Sequence, residues 1–264
     1  MVAPTKIIAG LGMSLGIDIL EAPGATGDYR TLLTSKATAI ANALSAPLNP
    51  CPNVFVPGED GHKPGRSDGY DFGFLHIKVK TFFSLLTQNL KISTLIFDHI
   101  SILLQAIDDA GHDKATMFKV RGLEAVDKAI RQLAKLLWQA ESSTHYQYFL
   151  CVTGDHSTPV EYGDHSFEPV PFTMCRLRDF VSAVGGESAV LETSLDPFPL
   201  PTVVESGEDV TKQEEESGRR EAPLAIGGDL VAELNEVAAA RGCLGRFHGG
   251  EMMGVITNFL NLEV

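Results

Sequence analysis

The sequence predicts an α/β protein, a partial core of mostly parallel sheet flanked by helices. Short apolar runs alternate with longer segments of helical period, the rhythm of a sheet with helices packed on its faces. The clearest helix runs from Thr116 to Ala140, where Val120, Leu123, Val126, Ile130, Leu133 and Leu137 recur at spacings of three and four. Three clusters of ligand-type residues, Asp108-x₃-His112, Asp155-His156 and His165, each follow an apolar run that reads as a strand. Sheets of this class present their chemistry at such strand ends.

The remaining elements follow in order. Thr5 to Leu15 is rich in small residues and reads as a helix, and Ile17 to Leu20 as a short strand. Pro23 to Tyr29 is turn-rich, Arg30 to Leu44 is helical, and Asn49 to Gly69 is a loop of Pro, Gly and Asp. Phe72 to Ile77 reads as a buried strand. Tyr146 to Val152 is the strand that delivers Asp155 and His156, and Glu251 to Leu262 is a packed final helix.

Two segments interrupt this rhythm. Residues 203–223 are expected to form an acidic surface loop that includes Glu214, Glu215 and Glu216. Val79 to Gln105, rich in Leu, Ile, Phe, Ser and Thr, separates Lys78 from Ala106. Without it, strand text would run straight into Ile107 and Asp108. A retained in-frame intron fits, since valine codons begin GT and a glutamine codon can end in AG. Lys80, Lys91 and Asp98 break the apolar character, and the uncharged run Thr81 to Leu90 is short of the roughly 20 residues a bilayer span needs.

The chain has 264 residues, enough for a sizeable core, with 44% hydrophobic and 21% charged residues. A net charge of −13 argues against nucleic-acid and anionic-membrane partners, both of which need a basic surface. Cys51, Cys151, Cys175 and Cys243 are widely spaced with no CxxC pair, which predicts free thiols in a reducing compartment. The start, Met1 to Lys6, shows no secretory h-region, so a soluble cytoplasmic protein is expected.

Carboxylate oxygen and imidazole nitrogen together suit borderline divalent ions. Asp108, His112, Asp155, His156 and His165 are too many for one catalytic ion with an open position. They read as most of a paired-metal site of the kind that clamps a transferring phosphoryl group. No activated serine or threonine is identifiable as a nucleophile, although Ser157 and Ser166 lie near the donors. His76 and Lys78 at a strand end face either a substrate or the core. Gly24 to Gly27 lacks a GxGxxG or P-loop pattern and reads as a turn. Arg246 is an anion-binding candidate, and Lys6 reads as an exposed lysine.

The text around these clusters resembles the cofactor-independent phosphoglycerate mutases, archaeal type, of the alkaline phosphatase superfamily. The resemblance rests on His76-Ile77-Lys78, Ile107-Asp108-Asp109-Ala110-Gly111-His112-Asp113, Thr153-Gly154-Asp155-His156-Ser157-Thr158-Pro159-Val160, and Asp164-His165-Ser166 with Pro169-Val170-Pro171 following. Pro23 to Tyr29 and Arg241-Gly242-Cys243-Leu244-Gly245-Arg246 match as well. The similarity covers most of the chain outside the two odd segments and corresponds to the C-terminal part of the family's architecture.

That resemblance implies a partial alkaline-phosphatase-like core and two divalent ions (Mn, Mg or Zn), with no need for 2,3-bisphosphoglycerate. Asp108, His112 and His165 would hold one ion, and Asp155 and His156 the second. It implies exchange of phosphate between the 3- and 2-positions of phosphoglycerate through a phosphorylated serine. In the family that serine, and a further aspartate for the second ion, come from an N-terminal stretch without counterpart in this text. Two alternatives remain: a catalytically inactive metal-binding module, and another metal-dependent phosphomutase or phosphohydrolase of the superfamily.

Overall fold

The computed structural model describes residues 1–3, 5–24, 32–45, 48–56, 62–77, 107–197, 231 and 235–260. The expected acidic loop and the Val79 to Gln105 segment lie outside the described residues.

Helix α1, Lys6–Ser14, starts at Thr5, whose hydroxyl accepts from the Ile8 N–H at 3.4 Å and satisfies one of the free donors of the first turn. Helix α2, Leu33–Leu44, is alanine-rich and largely buried. Two short strands, β1 (Val54–Phe55) and β2 (His62–Lys63), interrupt the expected loop and pair antiparallel. Helix α3, Ile107–His112, is followed by the long helix α4, Thr116–Ser143. Strands β3 (Phe149–Thr153) and β4 (Phe172–Arg176) come next, then α5 (Leu177–Ala183), α6 (Glu187–Leu191), α7 (Glu236–Ala239) and α8 (Met252–Phe259).

Two apolar clusters meet at α2. One joins Ala41 to Ala134 and Leu137 of α4, Leu150 of β3, Leu177 and Val181 of α5 and Val190 of α6. The other joins Ala39, Ile40 and Ala43 to Val2, Leu20 and Val54. Leu44 and Leu133 pack against both. Alanines at the helix contact let the α2 and α4 backbones approach closely, so the interface gains from dispersion and from the apolar area removed from water.

The stripe expected on α4 is only partly core. Leu137 is 2% exposed, whereas Val120 and Leu123 are 42% and 45% exposed. The residues α4 buries are Ala125, Ala129, Gln132, Ala134, Leu137 and Ala140, a narrower face turned toward α2 and β3.

The mostly parallel sheet is not what the described residues form. Both ladders are antiparallel: Val54↔Lys63 and Phe55↔His62 in one, Phe149↔Arg176 through Thr153↔Phe172 in the other. A parallel neighbour needs a crossover, usually a helix. Residues 154–171 contain none and are doubled back by a Ser157↔Ser166 bridge, which returns the chain antiparallel. Parallel pairing is confined, among the described residues, to the Val2↔Leu75 bridge, where the Val2 N–H donates to the Phe74 carbonyl and the His76 N–H to the Val2 carbonyl. Ile17 to Leu20 contributes one bridge, Leu20↔Val54, not a full strand.

Candidate metal centre

Asp108 and His112 stand four residues apart on α3, so both side chains leave the same face of one helical turn. The sequence reading placed them in a loop after a strand; the short helix instead sets their spacing directly. Asp155 and His156 leave the end of β3, and His165 lies beyond the doubled-back loop. The loop after β3 and the last turn of α3 meet at Thr158 and Gly111. A Cβ on Gly111 would sit 2.3 Å from the Thr158 carbonyl oxygen, so glycine is what allows this approach.

Asp108 Oδ1 is the hub. It accepts from the Thr158 hydroxyl at 2.6 Å and lies 3.4 Å from His112 Nε2, 3.4 Å from His165 Nε2 and 3.8 Å from His156 Nδ1. Donor atoms of Asp108, His112 and His165 all fall within 4.8 Å of one another, the one such group of three among the described residues. Asp155 and His156 stand beside it: His156 Nε2 is 3.6 Å from Asp155 Oδ2, and the His156 and His165 rings are 3.8 Å apart at their centroids. All five residues singled out in the sequence therefore come together, divided into a trio and an adjacent pair.

The local structure also orients the donors. His112 Nδ1 lies 3.1 Å from the Gly163 carbonyl. A carbonyl only accepts, so Nδ1 carries a proton there and Nε2 is the ring atom turned toward Asp108, the orientation metal-binding imidazoles commonly show. Gly163 reaches this position with φ of +77°, a conformation that favours glycine. The His165 N–H donates to Asp164 Oδ1 at 2.7 Å, and the His156 N–H to Asp155 Oδ1 at 3.1 Å. Burial pushes the Asp108 carboxyl up, but the Thr158 hydroxyl and the His156, His112 and His165 imidazoles outweigh it and hold it below the ordinary carboxylate value.

Several groups here were given no role in the sequence, although Thr158 and Asp164 lie within its matching motifs. Thr158 is buried, and its carbonyl accepts from Lys119 Nζ of α4. Burial lowers the Lys119 pKa, with the Asp108 charge opposing it. The Gly163 carbonyl and Asp164 also belong to the site. A threonine two residues after a histidine in a turn, and a lysine on an amphipathic helix, look ordinary until the chain is folded. Ser157 Oγ donates to the Glu168 carbonyl at 3.1 Å, whereas the Ser157–Ser166 bridge is made by backbone groups and does not engage the Ser166 hydroxyl. Elsewhere, Lys6 and Arg246 are exposed, and the His76 ring lies edge-on to Phe74 at 6.2 Å. Lys78 and residues 25–31 lie outside the described residues. Gly24 adopts φ of +71° and its carbonyl accepts from the Leu32 N–H at 2.9 Å.

The donor chemistry fits a divalent ion: a lowered carboxylate, imidazoles with Nε2 turned inward, and a carbonyl behind one of them. Comparison with known proteins gives the same direction. Residues 81–192 match the Metalloenzyme superfamily model, a stretch that contains all five donors. Over that stretch the chain is similar to the Metalloenzyme superfamily.

Its relatives include the 2,3-bisphosphoglycerate-independent phosphoglycerate mutase of Methanopyrus kandleri, 25% identical over 97% of this chain and 36% of that protein. The 2,3-bisphosphoglycerate-independent phosphoglycerate mutase 1 of Archaeoglobus fulgidus is 28% identical over 69% of this chain and 32% of that protein. The solved PH0037 protein from Pyrococcus horikoshii superposes at a TM-score of 0.46 and 18% identity, over 100% of this chain and 48% of that one. The chain thus spans about a third of the length of the curated relatives it matches. Among the described residues, no helix is long and apolar enough to cross a membrane.

Proposed function

We propose that this chain supplies the ion-binding portion of a phosphoglycerate-mutase-type site, acting on 3- and 2-phosphoglycerate with two divalent ions. The observation that carries the reading is Asp108 Oδ1 held within 3.4 Å of two imidazole Nε2 atoms, with Asp155 and His156 alongside. Asp108, His112 and His165 hold one ion; Asp155 and His156 contribute to the other. Bound ions would lower the pKa of an attacking hydroxyl and offset charge on the phosphoryl oxygens. The chain's own residues do the rest: Asp108 gathers the imidazoles, the Gly163 carbonyl orients His112, and the open side of the site faces solvent through exposed Asp155 and His165.

The serine nucleophile belongs, on this reading, to sequence outside these 264 residues, in the part of the relatives that the chain does not match. Manganese as the working ion, a cytoplasmic setting and the segmentation at 79–105 and 203–223 are part of the same proposal. Calorimetry with MnCl₂ tests it. One ion is expected to bind more firmly than the other, and His165→Ala is expected to remove the firmer one. Unchanged manganese uptake by His165→Ala would end the reading. In an enolase-coupled assay the 264-residue chain by itself is expected to bind manganese yet give no turnover; turnover would place the nucleophile within it. The Ser157 hydroxyl's engagement with the Glu168 carbonyl favours a second reading, a metal-binding module without catalysis of its own. Release of inorganic phosphate from phosphate esters would instead select a phosphohydrolase.

A further inference from the structure

Thr158 is 5% exposed and touches both halves of the donor set. Its Oγ1 donates to Asp108 Oδ1 at 2.6 Å and lies 3.2 Å from His156 Nδ1. A hydroxyl has one proton and two lone pairs. With the proton committed to the carboxylate, a lone pair is left to accept from His156 Nδ1–H. That places a His156 proton on Nδ1 and leaves Nε2 as the atom turned toward Asp155 Oδ2, 3.6 Å away. One oxygen atom therefore orients a donor of the trio and a donor of the pair.

The position of that oxygen is fixed from behind. Lys119 Nζ, on α4, donates to the Thr158 carbonyl. From α3, Gly111 closes on the same residue so tightly that a Cβ there would lie 2.8 Å from Thr158 Cγ2. Thr158 is held by two helices and passes that order to both sets of donors.

We infer that Thr158 is a positioning residue that couples the two ion sites, its hydroxyl orienting Asp108 for one ion and selecting the Nδ1-protonated form of His156 for the other. The inference rests on the metal-centre reading above. Removing a hydrogen-bond partner behind metal ligands typically weakens affinity about tenfold to a hundredfold.

The test compares wild type, Thr158→Val and Thr158→Ser, titrated with MnCl₂ by calorimetry. Nitrogen-15 chemical shifts of the imidazoles in the metal-free chain provide a second readout. Thr158→Val is expected to weaken both ions, each by about tenfold or more. Thr158→Ser, which keeps the hydroxyl, is expected to restore wild-type binding. In the metal-free valine variant His156 is expected to mix its two neutral forms, while His112, held by the Gly163 carbonyl, stays in one. Wild-type affinity in Thr158→Val, weakening of only one ion, or a serine variant as weak as valine would each overturn the inference. Should Thr158→Val fail to fold, Lys119→Met serves: it loosens the Thr158 carbonyl, and unchanged binding of either ion would overturn the coupling. If wild type takes up no manganese, the metal-centre reading has failed, and the His156 shifts still decide the role of the hydroxyl.

Discussion

Gly111 shows how much one missing methyl group decides. It lies between Asp108 and His112 on α3, and its open face receives Thr158. A Cβ would meet the Thr158 carbonyl oxygen at 2.3 Å, a backbone atom that cannot swing aside as a side-chain tip could. Overpacking at such a contact costs about 1–3 kcal/mol. Gly111→Ala is therefore expected to lower the unfolding free energy by about that amount in urea titrations, and to weaken manganese binding as α3 moves off the β3 end. Wild-type stability with wild-type binding would show that α3 and the loop are not in contact. Asp108 and His112 were legible in the sequence from residue type and spacing. Thr158 and Lys119 were not, because their roles exist only where three separate segments meet.

At the scale of elements, α4 is the frame. Its apolar period predicted a helix from Thr116 to Ala140, and the structure extends it to Ser143. Period alone did not say which apolar residues are core. Leu137 is, packed with Ala134 and Ala41 against Leu150, Leu177 and Val181; Val120 and Leu123 are not. Leu137→Ala is expected to cost about 2–5 kcal/mol, the range for a buried leucine. Leu123→Ala is expected to cost far less, since a surface change rarely exceeds about 0.5 kcal/mol. Equal losses in chemical unfolding would mean that α4 is rotated from its observed face. Strand β3 was anticipated, within a few residues, from an apolar run. Its antiparallel partner β4 was not, since pairing direction depends on the path of the loop between them and not on the strand's own residues.

Across the whole molecule, each apolar cluster has one tyrosine at its edge with a guarded hydroxyl. Tyr148 packs on the α4 cluster and its hydroxyl donates to the Leu44 carbonyl at 3.3 Å; burial, with Tyr146 and Glu141 adding, raises its pKa to about 12. Tyr70 packs on the other cluster and donates to Asp18 Oδ2 at 2.8 Å; burial, reinforced by Asp18, raises it further. An unfolded tyrosine releases its proton near pH 10, about two units before folded Tyr148 does. In that window the unfolded state binds fewer protons than the folded one, so stability falls as pH rises. The urea midpoint is expected to drop from about pH 10 toward about pH 12. Tyr148→Phe is expected to reduce the drop without abolishing it, because Tyr70 remains. An identical alkaline profile in Tyr148→Phe would show that Tyr148 ionises as freely folded as unfolded.

Residue chemistry and repetition along the chain indicated, without a structure, a helix from Thr116 to Ala140 and a set of carboxylate and imidazole groups at Asp108, His112, Asp155, His156 and His165. Those properties are local: a period of three and four makes a helix, and a carboxylate or imidazole binds cations wherever it stands. The fold alone decided that Asp108, His112 and His165 approach one another, that a buried threonine stands between Asp108 and His156, and that both described ladders run antiparallel. Each of these depends on distances between segments far apart in sequence, which packing sets and side-chain identity does not.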